Sequence, residues 1–198
     1  MNNTRITKLW NNLKQEWSRL APNVTIALHE AASEDDLQKL EETINAKLPE
    51  DFKAFYRVHN GQKSWEGVID CQELLSIERI IDEWKVWKGL LDSEAFIGPD
   101  GSYKSEPREQ EVKNDWWNPG WIPFTSDGAG NHLCVDLDPN PGGTYGQVIE
   151  MIHDDADRSL KASSLMTYIE HYTEKLKSDA YRYSDDYGGF FNKLYFND

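Results

Sequence analysis

The chain has 198 residues, which fits one large folded domain, and its 8 Trp, 9 Tyr and 7 Phe supply enough apolar surface to exclude a disordered chain. The 35 Asp and Glu outnumber the 21 Lys and Arg, and the formal net charge of −14 disfavours nucleic acids and anionic membranes as partners. The two Cys form no C-x-x-C pair, the N-terminus is polar, and no apolar run approaches the roughly 20 residues that span a bilayer, so a reduced, cytoplasmic location is expected.

Two helices are predicted near the start of the chain. Apolar residues recur at helical spacing over residues 6–20, and Pro22 ends this first helix. Ser33 begins a second helix, because Asp36 three residues later completes a capping box and the acidic first turn suits the helix dipole. The inner face of the second helix is predicted to contain Leu37, Leu40 and Ile44.

A third and a fourth helix are predicted, with a short strand between them. Pro49 is a favoured first helical residue, and Gly61 is a natural stop for the third helix. Residues 65–70 are predicted to form the strand. Ser76 then caps the fourth helix, whose apolar stripe reaches Leu91.

The second half of the chain begins with a polar segment, residues 92–115, which is predicted to be a long, mobile loop. After it the hydrophobic period shifts towards two, which is typical of strands. A last helix is predicted to begin after Ser163 or Ser164. Three short strands precede that helix, over residues 121–124, 132–137 and 147–153.

Helices and strands are segregated along the chain, which favours an α+β fold with an antiparallel sheet over a doubly wound parallel one. Residues 1–178 are assigned to this single domain. The C-terminal tail, residues 179–198, is acidic and contains seven aromatic residues, so it is expected to pack on the domain or on a partner. These aromatic residues are Tyr181, Tyr183, Tyr187, Phe190, Phe191, Tyr195 and Phe196.

Two segments together carry a resemblance to a known family. The first is LPEDFKAFYRVHNG, residues 48–61, a helix that opens with Leu-Pro and ends in Asn-Gly. The second, residues 121–155, contains a strand ending in Pro-Phe, a Gly-x-Gly-Asn turn, a strand ending in Asp, a Pro/Gly loop and Gly-Gln-Val-Ile, in that order. The order and spacing of these pieces resemble the Smi/Knr-type branch of the SUKH superfamily over roughly residues 3–178.

The resemblance implies an α+β fold, with helices around an antiparallel sheet, and a binding role without catalysis. Bacterial members resemble immunity proteins that neutralise secreted toxins, many of them nucleases, and fungal relatives resemble regulators that link cell-wall synthesis to growth signalling. Our leading expectation is therefore an immunity protein against a basic, nuclease-type toxin. A regulatory or scaffold protein of cell-wall synthesis and growth control is the alternative, and the oligomeric state is left open.

The chain contains partial patterns of a calcium site and of a small hydrolase site. Asp136, Asp138 and Asn140 alternate as at the start of a calcium loop, but Pro141 and Gln147 occupy the positions that need Gly and Glu, which favours turn chemistry.

A hydrolase could use Asp127, His132 and Cys134, yet nothing positions the third group, which favours a half-buried Cys beside a surface His. The histidines are too scattered to indicate zinc. We expect no catalytic residue, no cofactor and no bound metal.

The run SDGAGNH, residues 126–132, has two glycines but no Lys and no following helix, so it does not predict a phosphate loop. A tight turn between two strands is favoured, in which Gly128 and Gly130 supply positive φ angles.

Candidate partner-binding residues come from two groups. Trp116 and Trp117 are adjacent in a loop, so either one of them is exposed as a contact residue or both cover the core. Acidic residues cluster around strand ends and loops, and several of them are expected to share one edge of the sheet and to favour a basic partner. These are Asp127, Asp136, Asp138, Asp154, Asp155 and Asp157.

Overall fold

The computed structural model describes residues 3–195, which contain five α-helices and ten short β-strands. The helices are α1 (Asn3–Leu20), α2 (Glu34–Ile44), α3 (Glu50–Tyr56), α4 (Ile77–Asp92) and α5 (Leu165–Lys177). The strands are β1 (Glu73–Leu74), β2 (Ile97–Gly98), β3 (Gly101–Ser102), β4 (Trp121–Pro123), β5 (Thr125–Ser126), β6 (His132–Asp136), β7 (Gln147–Met151), β8 (Arg158–Ala162), β9 (Tyr181–Ser184) and β10 (Gly189–Asn192). The predicted α+β class is confirmed.

The predicted capping box at the start of α2 is confirmed. The Ser33 hydroxyl accepts a hydrogen bond of 3.1 Å from the Asp36 backbone N–H, and the Asp36 carboxylate accepts one of 2.9 Å from the Ser33 N–H. These two bonds satisfy backbone donors that no helical carbonyl can reach. The hydroxyl groups of Ser76 and Ser164 cap α4 and α5 by accepting hydrogen bonds from the N–H groups of Arg79 and Thr167.

Two predictions for the region between α3 and α4 are wrong. Helix α3 ends at Tyr56, before Gly61, because the Tyr56 carbonyl accepts a hydrogen bond of 2.9 Å from the Ala32 N–H outside the helix. Residues 65–70 form no strand. The left-handed φ angles of Asp70 (51°) and Cys71 (62°) turn the chain back on itself, and the short strand β1 lies after them.

The main sheet has four antiparallel strands in the order β4-β6-β7-β8. Strand β6 pairs with β7 so that His132 is opposite Met151 and Asp136 is opposite Gln147. Strand β8 was not predicted, because its Arg-Ser-Leu-Lys-Ala sequence, at the edge of the sheet, lacks an apolar alternation.

Both faces of β6 are buried, which contradicts the expected surface position of His132 and the half-buried position of Cys134. Trp87 of α4 lies over His132 with ring centroids 6.2 Å apart, and Trp117 stacks on Trp87 at 6.4 Å. The His132 side chain is therefore covered by aromatic rings rather than by water.

Residues 92–115 contain a small hairpin, β2–β3, that was not predicted. Ser105 and Val112 of this segment are buried, and the Glu109 carboxylate accepts a hydrogen bond of 2.9 Å from the Leu160 N–H of edge strand β8. The segment thus contributes to covering the sheet, and its mobility stays a prediction.

The C-terminal tail forms the hairpin β9–β10, which packs on the domain. Tyr181 and Phe190 are buried, and the Tyr181 hydroxyl donates a hydrogen bond of 2.8 Å to Asp70. Phe196 lies outside the described residues. No helix within residues 3–195 is long and apolar enough to cross a bilayer.

Candidate functional site

The sheet divides the six predicted acidic residues between its two ends. Because β6 and β7 are antiparallel, Asp127 and Asp154 lie beyond one end of this strand pair, and Asp136 and Asp138 lie at the other end. The intervening length of β6 is roughly 13 Å, from the usual rise per residue of a strand. Asp155 and Asp157 lie at the same end as Asp127 and Asp154, because Met151 of β7 pairs with Arg158 of β8. Several of the six acidic residues thus share one end of the sheet, as predicted, and Asp136 and Asp138 do not.

At the first end, the Asp127 carboxylate organises the glycine turn. It accepts hydrogen bonds from the backbone N–H groups of Ala129 (2.8 Å) and Asn131 (3.0 Å). Asn131 in turn accepts a hydrogen bond of 2.9 Å from the His153 N–H, which joins the turn to the end of β7. Asp127 stays exposed to solvent in this arrangement.

The two glycines of this turn have left-handed φ angles, 77° at Gly128 and 107° at Gly130. A side chain at Gly130 would also approach the Cβ of His153 to 3.2 Å, whereas the space beside Gly128 is open. Both positions therefore suit glycine for conformational reasons, and Gly130 does so for packing as well.

The remaining acidic residues at this end differ in exposure. The side chain of Asp154 is 73% exposed, and Asp155 is exposed as well. Asp157 is less available, because its carboxylate forms an ion pair of 2.7 Å with Arg108. Asp154 and Asp155 therefore contribute more unpaired negative charge to this surface than Asp157 does.

Asp136, at the other end, is not a surface carboxylate. It is fully buried and accepts hydrogen bonds of 2.9 Å from the Asp138 N–H and from the Gln147 side-chain amide. Burial raises the pKa of Asp136 to about 6. The prediction of Asp136 as a partner contact is wrong, because the pairing of Asp136 with Gln147 places the carboxylate inside the sheet.

Asp138 and Asn140 do not complete a calcium site with Asp136. Asp138 forms an ion pair of 2.6 Å with Lys113, and the Asn140 side-chain amide donates hydrogen bonds of 3.0 Å to the carbonyls of Gln110 and Val112. Within residues 3–195, no group of three or more His, Cys, Asp or Glu side chains is arranged to hold a metal ion.

Asp127, His132 and Cys134 are not assembled as a nucleophile, a base and an orienting group. Both ring nitrogens of His132 are engaged, Nε2 with the Trp87 indole N–H (3.0 Å) and Nδ1 with the Thr125 carbonyl (2.8 Å). Cys134 is fully buried, and burial raises the pKa of its thiol, which keeps the thiol protonated.

The adjacent tryptophans have different surroundings. Trp117 is 3% exposed and packs against Trp84 and Trp87, so the prediction of Trp117 as a surface contact is wrong. Trp116 is half-buried, with the Arg158 guanidinium 5.3 Å from its ring centroid and Tyr103 at its edge.

Arg158 is a buried organising residue that sequence analysis missed. Its guanidinium donates hydrogen bonds to the carbonyls of Ile152, Asp155, Asp157 and Trp116, at distances of 2.7–3.0 Å. The acidic loop between β7 and β8 therefore surrounds the positively charged Arg158 guanidinium. The only sequence signal was an isolated basic residue after the acidic run DDAD.

A second feature that sequence analysis missed is an exposed aromatic groove. Trp65 is 76% exposed, and it borders a groove of about 400 Å³ whose lining also includes Cys71, Asp127, Tyr187 and Phe191. The signal in the sequence is a Trp inside a polar, Gly-containing run, GQKSWEG, residues 61–67, which overlaps the start of the strand predicted at residues 65–70. We call this feature the Trp65 groove.

Comparison with known proteins places this fold in a family. The sequence profile of the SMI1 / KNR4 family (SUKH-1) matches residues 31–171. The chain is 26% identical to the "Glucan synthesis regulatory protein" of Neurospora crassa, over 91% of this chain and 40% of that protein. It is 21% identical to the "Cell wall assembly regulator SMI1" of Saccharomyces cerevisiae, over 92% of this chain and 43% of that protein.

A shorter match, 43% identical over 58 residues, relates 29% of this chain to 12% of human "F-box only protein 3". The chain spans about two fifths of the length of each of the two fungal relatives. The resemblance noted in the sequence is confirmed by the profile match, which covers more than half of the chain: this chain belongs to the SMI1/KNR4 (SUKH-1) family.

Proposed function

We propose that this chain is a protein-binding domain without catalytic activity that acts in the regulation of cell-wall synthesis. The observation that carries the proposal is the similarity, over nine tenths of this chain, to two fungal proteins named as regulators of glucan synthesis and of cell-wall assembly. Those proteins are more than twice as long as the region they share with this chain, so extending their role to this domain is part of the proposal.

The structure supports a binding role in two ways. The side chains that would serve a hydrolase are used for folding instead, since His132 and Cys134 are buried and Asp127 caps a turn. At the same time, Trp65 and Tyr187 expose large aromatic surfaces, at 76% and 66%. Exposed aromatic residues of this kind are enriched in protein–protein interfaces.

The regulatory role takes precedence over the immunity role that the sequence led us to expect. The names of the fungal relatives favour a regulator. The net charge of −14 suits a basic toxin, but it suits any basic partner equally well. A basic nuclease-type toxin therefore ranks as the second candidate partner.

The test combines a phenotype with partner identification in the organism that encodes the chain. Deletion of the gene is expected to raise sensitivity to a dye that binds cell-wall glucan, and re-expression of the parent chain is expected to restore resistance. A matched variant, Gly61→Val, serves as a folding-deficient control, because a side chain at Gly61 would lie 2.5 Å from the Leu75 backbone.

Partners are captured in the same strain by crosslinking to the tagged parent chain and are identified by mass spectrometry. Recovery of proteins that make or regulate the cell wall, absent from the Gly61→Val sample, supports the proposal. Unchanged dye sensitivity together with recovery of a secreted nuclease would replace it with the immunity role. Turnover of ester or phosphate substrates by the purified chain would refute the absence of catalysis.

A further inference from the structure

Trp65 is presented to solvent from a fixed loop. The Gln62 side-chain amide donates hydrogen bonds of 2.7 Å to the carbonyls of Ser64 and Glu66, on either side of Trp65. The carbonyl oxygen of the same side chain accepts a hydrogen bond of 2.7 Å from the Leu74 N–H of β1. A ligand that binds Trp65 therefore does not have to order this loop, which lowers the entropic cost of binding.

The tail hairpin holds the other side of the loop. The Gly67 N–H donates to the Gly188 carbonyl over 2.8 Å, and the Phe190 N–H donates to the Gly67 carbonyl over 2.9 Å. The indole of Trp65 rests on the backbone of Gly188, where an added Cβ would lie 2.1 Å from the ring. The indole is thus held in place while most of its surface stays exposed.

The segment that follows Trp65 contains two residues in a strained backbone conformation. Asp70 and Cys71 both have left-handed φ angles, and a side chain at Gly67 would lie 2.5 Å from the Cys71 backbone. Non-glycine residues in this region are uncommon and are enriched at ligand-binding sites. Burial raises the pKa of the Cys71 thiol to about 11, so the thiol is neutral at physiological pH and does not make the groove a nucleophilic site.

The lining of the Trp65 groove combines aromatic rings with carboxylates. Tyr187 and Phe191 contact each other with centroids 5.3 Å apart and line the groove together with Trp65. Glu73 and Asp127 line it as well. Within the described residues, no Lys or Arg lies within ion-pair distance of Asp127. Arg79 lies 3.6 Å from Glu73 but is closer, at 2.9 Å, to Glu83.

Aromatic faces next to carboxylates are complementary to a cation. The ring faces of Trp and Tyr attract ammonium and guanidinium groups, and nearby carboxylates add a Coulomb attraction. The groove is less suited to a second copy of this chain, because each copy carries a net charge of −14 and the two would repel each other. An acidic segment is disfavoured for the same reason.

We infer that the Trp65 groove binds a basic segment of a partner protein and places a Lys or Arg side chain against the Trp65 indole and the carboxylates of Glu73 and Asp127. This inference rests on the proposed protein-binding function and assigns it a surface and a partner chemistry. The aromatic rings supply contact area, and the carboxylates select for positive charge and speed the encounter.

The test uses the purified full chain and three dye-labelled peptides of equal length. The first is rich in Lys and Arg with Gly and Ser spacers, the second replaces the basic residues with Asp and Glu, and the third is neutral and rich in proline. Fluorescence anisotropy at low salt is expected to detect binding of the basic peptide alone. Raising the salt to physiological ionic strength is expected to weaken this binding without abolishing it.

Variants then locate the site. Trp65→Ala is expected to weaken binding of the basic peptide about ten-fold, and Trp65→Phe by less, because Phe retains a ring face. The pair Glu73→Gln and Asp127→Asn is expected to weaken binding about ten-fold at low salt, from roughly 0.7 kcal/mol per charge. The Asn side chain keeps an oxygen for the backbone N–H groups of Ala129 and Asn131 and loses only the acceptor of the Asn131 side-chain amide.

Matched controls separate the groove from general charge and exposure. Tyr103→Ala removes an aromatic ring that is 48% exposed on a different surface. The pair Asp35→Asn and Glu42→Gln removes the same two charges from exposed positions on α2. Both controls are expected to bind the basic peptide within about two-fold of the parent, as is usual for residues outside a contact.

A spectroscopic measurement keeps the test decisive if Trp65→Ala does not fold. The chain is labelled with 5-fluorotryptophan, and the resonance of Trp65 is identified by its loss in Trp65→Phe. This resonance is expected to shift on addition of the basic peptide, while those of the buried tryptophans stay in place.

An unshifted Trp65 resonance, equal affinity for the acidic or the proline-rich peptide, or binding that Tyr103→Ala weakens as much as Trp65→Ala would each overturn the inference. The protein-binding function would survive such a result, because the dye-sensitivity and crosslinking experiments test it independently of this groove.

Discussion

The indole N–H of Trp87 on α4 donates a hydrogen bond of 3.0 Å to Nε2 of His132 on β6. The other ring nitrogen of His132, Nδ1, lies 2.8 Å from the Thr125 carbonyl. Since a carbonyl only accepts, Nδ1 carries the proton and Nε2 is unprotonated. His132 is therefore a neutral residue that joins the fourth helix to the sheet.

This arrangement predicts a pH dependence of stability. Burial lowers the pKa of His132 below its ordinary value of about 6.5, although Glu83 and Asp127 raise it and Arg79 lowers it through space. The unfolded chain then binds a proton that the folded chain does not. The contribution of His132 is fully present above about pH 6.5 and is lost as the pH falls towards the folded-state pKa.

Denaturant unfolding at several pH values is expected to show this loss, with a slope of up to about 1.4 kcal/mol per pH unit. The matched variant is His132→Gln, whose amide can accept from Trp87 and donate to Thr125 but does not titrate. The difference between parent and variant isolates the His132 contribution. Parallel pH profiles for the two proteins would show that His132 titrates equally in both states.

Substitution of the turn glycines is expected to lower stability. Gly128→Val places a β-branched residue at a left-handed φ and should cost about 1–3 kcal/mol. Gly130→Val should cost more, because its side chain also meets His153. As a control, Gly89→Ala on α4 faces open space and is expected to stabilise the chain by up to about 1 kcal/mol. Variants that unfold like the parent would show that the turn adapts.

Arg158 is expected to be among the most sensitive positions for folding. Arg158→Met removes the donors for four carbonyls and should lower the free energy of unfolding by about 3–5 kcal/mol. Arg108→Met removes a surface cation from its ion pair with Asp157 and should cost at most about 1 kcal/mol. Equal losses for the two variants in urea titration would contradict the assigned role of the buried guanidinium.

Metal removal is expected to leave the fold unchanged. The oxygens of Asp136 and Asp138 already accept hydrogen bonds from the chain, and the Asn140 amide is bound to two backbone carbonyls. Differential scanning calorimetry should give the same Tm with EDTA as without it, and added calcium should not raise it. A calcium-dependent rise in Tm of several degrees would show that the folded chain binds calcium.

Local sequence rules were sufficient where a structure depends on neighbouring residues. The capping box at Ser33 and the period of the helices were predictable because the interacting groups lie within one or two helical turns. The family could be recognised from the sequence because its turn and strand-end residues occur in a fixed order. Strand β8 was missed because an edge strand covered by Glu109 does not need an apolar alternation.

The sequence by itself determined the α+β class, most of the helices and the acidic charge, since these depend on composition and local spacing. Only the tertiary structure decided which polar residues face water. Asp136 and Asp127 read alike in the sequence, yet strand pairing buries the first and leaves the second exposed. The Trp65 groove likewise required the C-terminal hairpin to meet a loop more than a hundred residues earlier, a contact that no local pattern encodes.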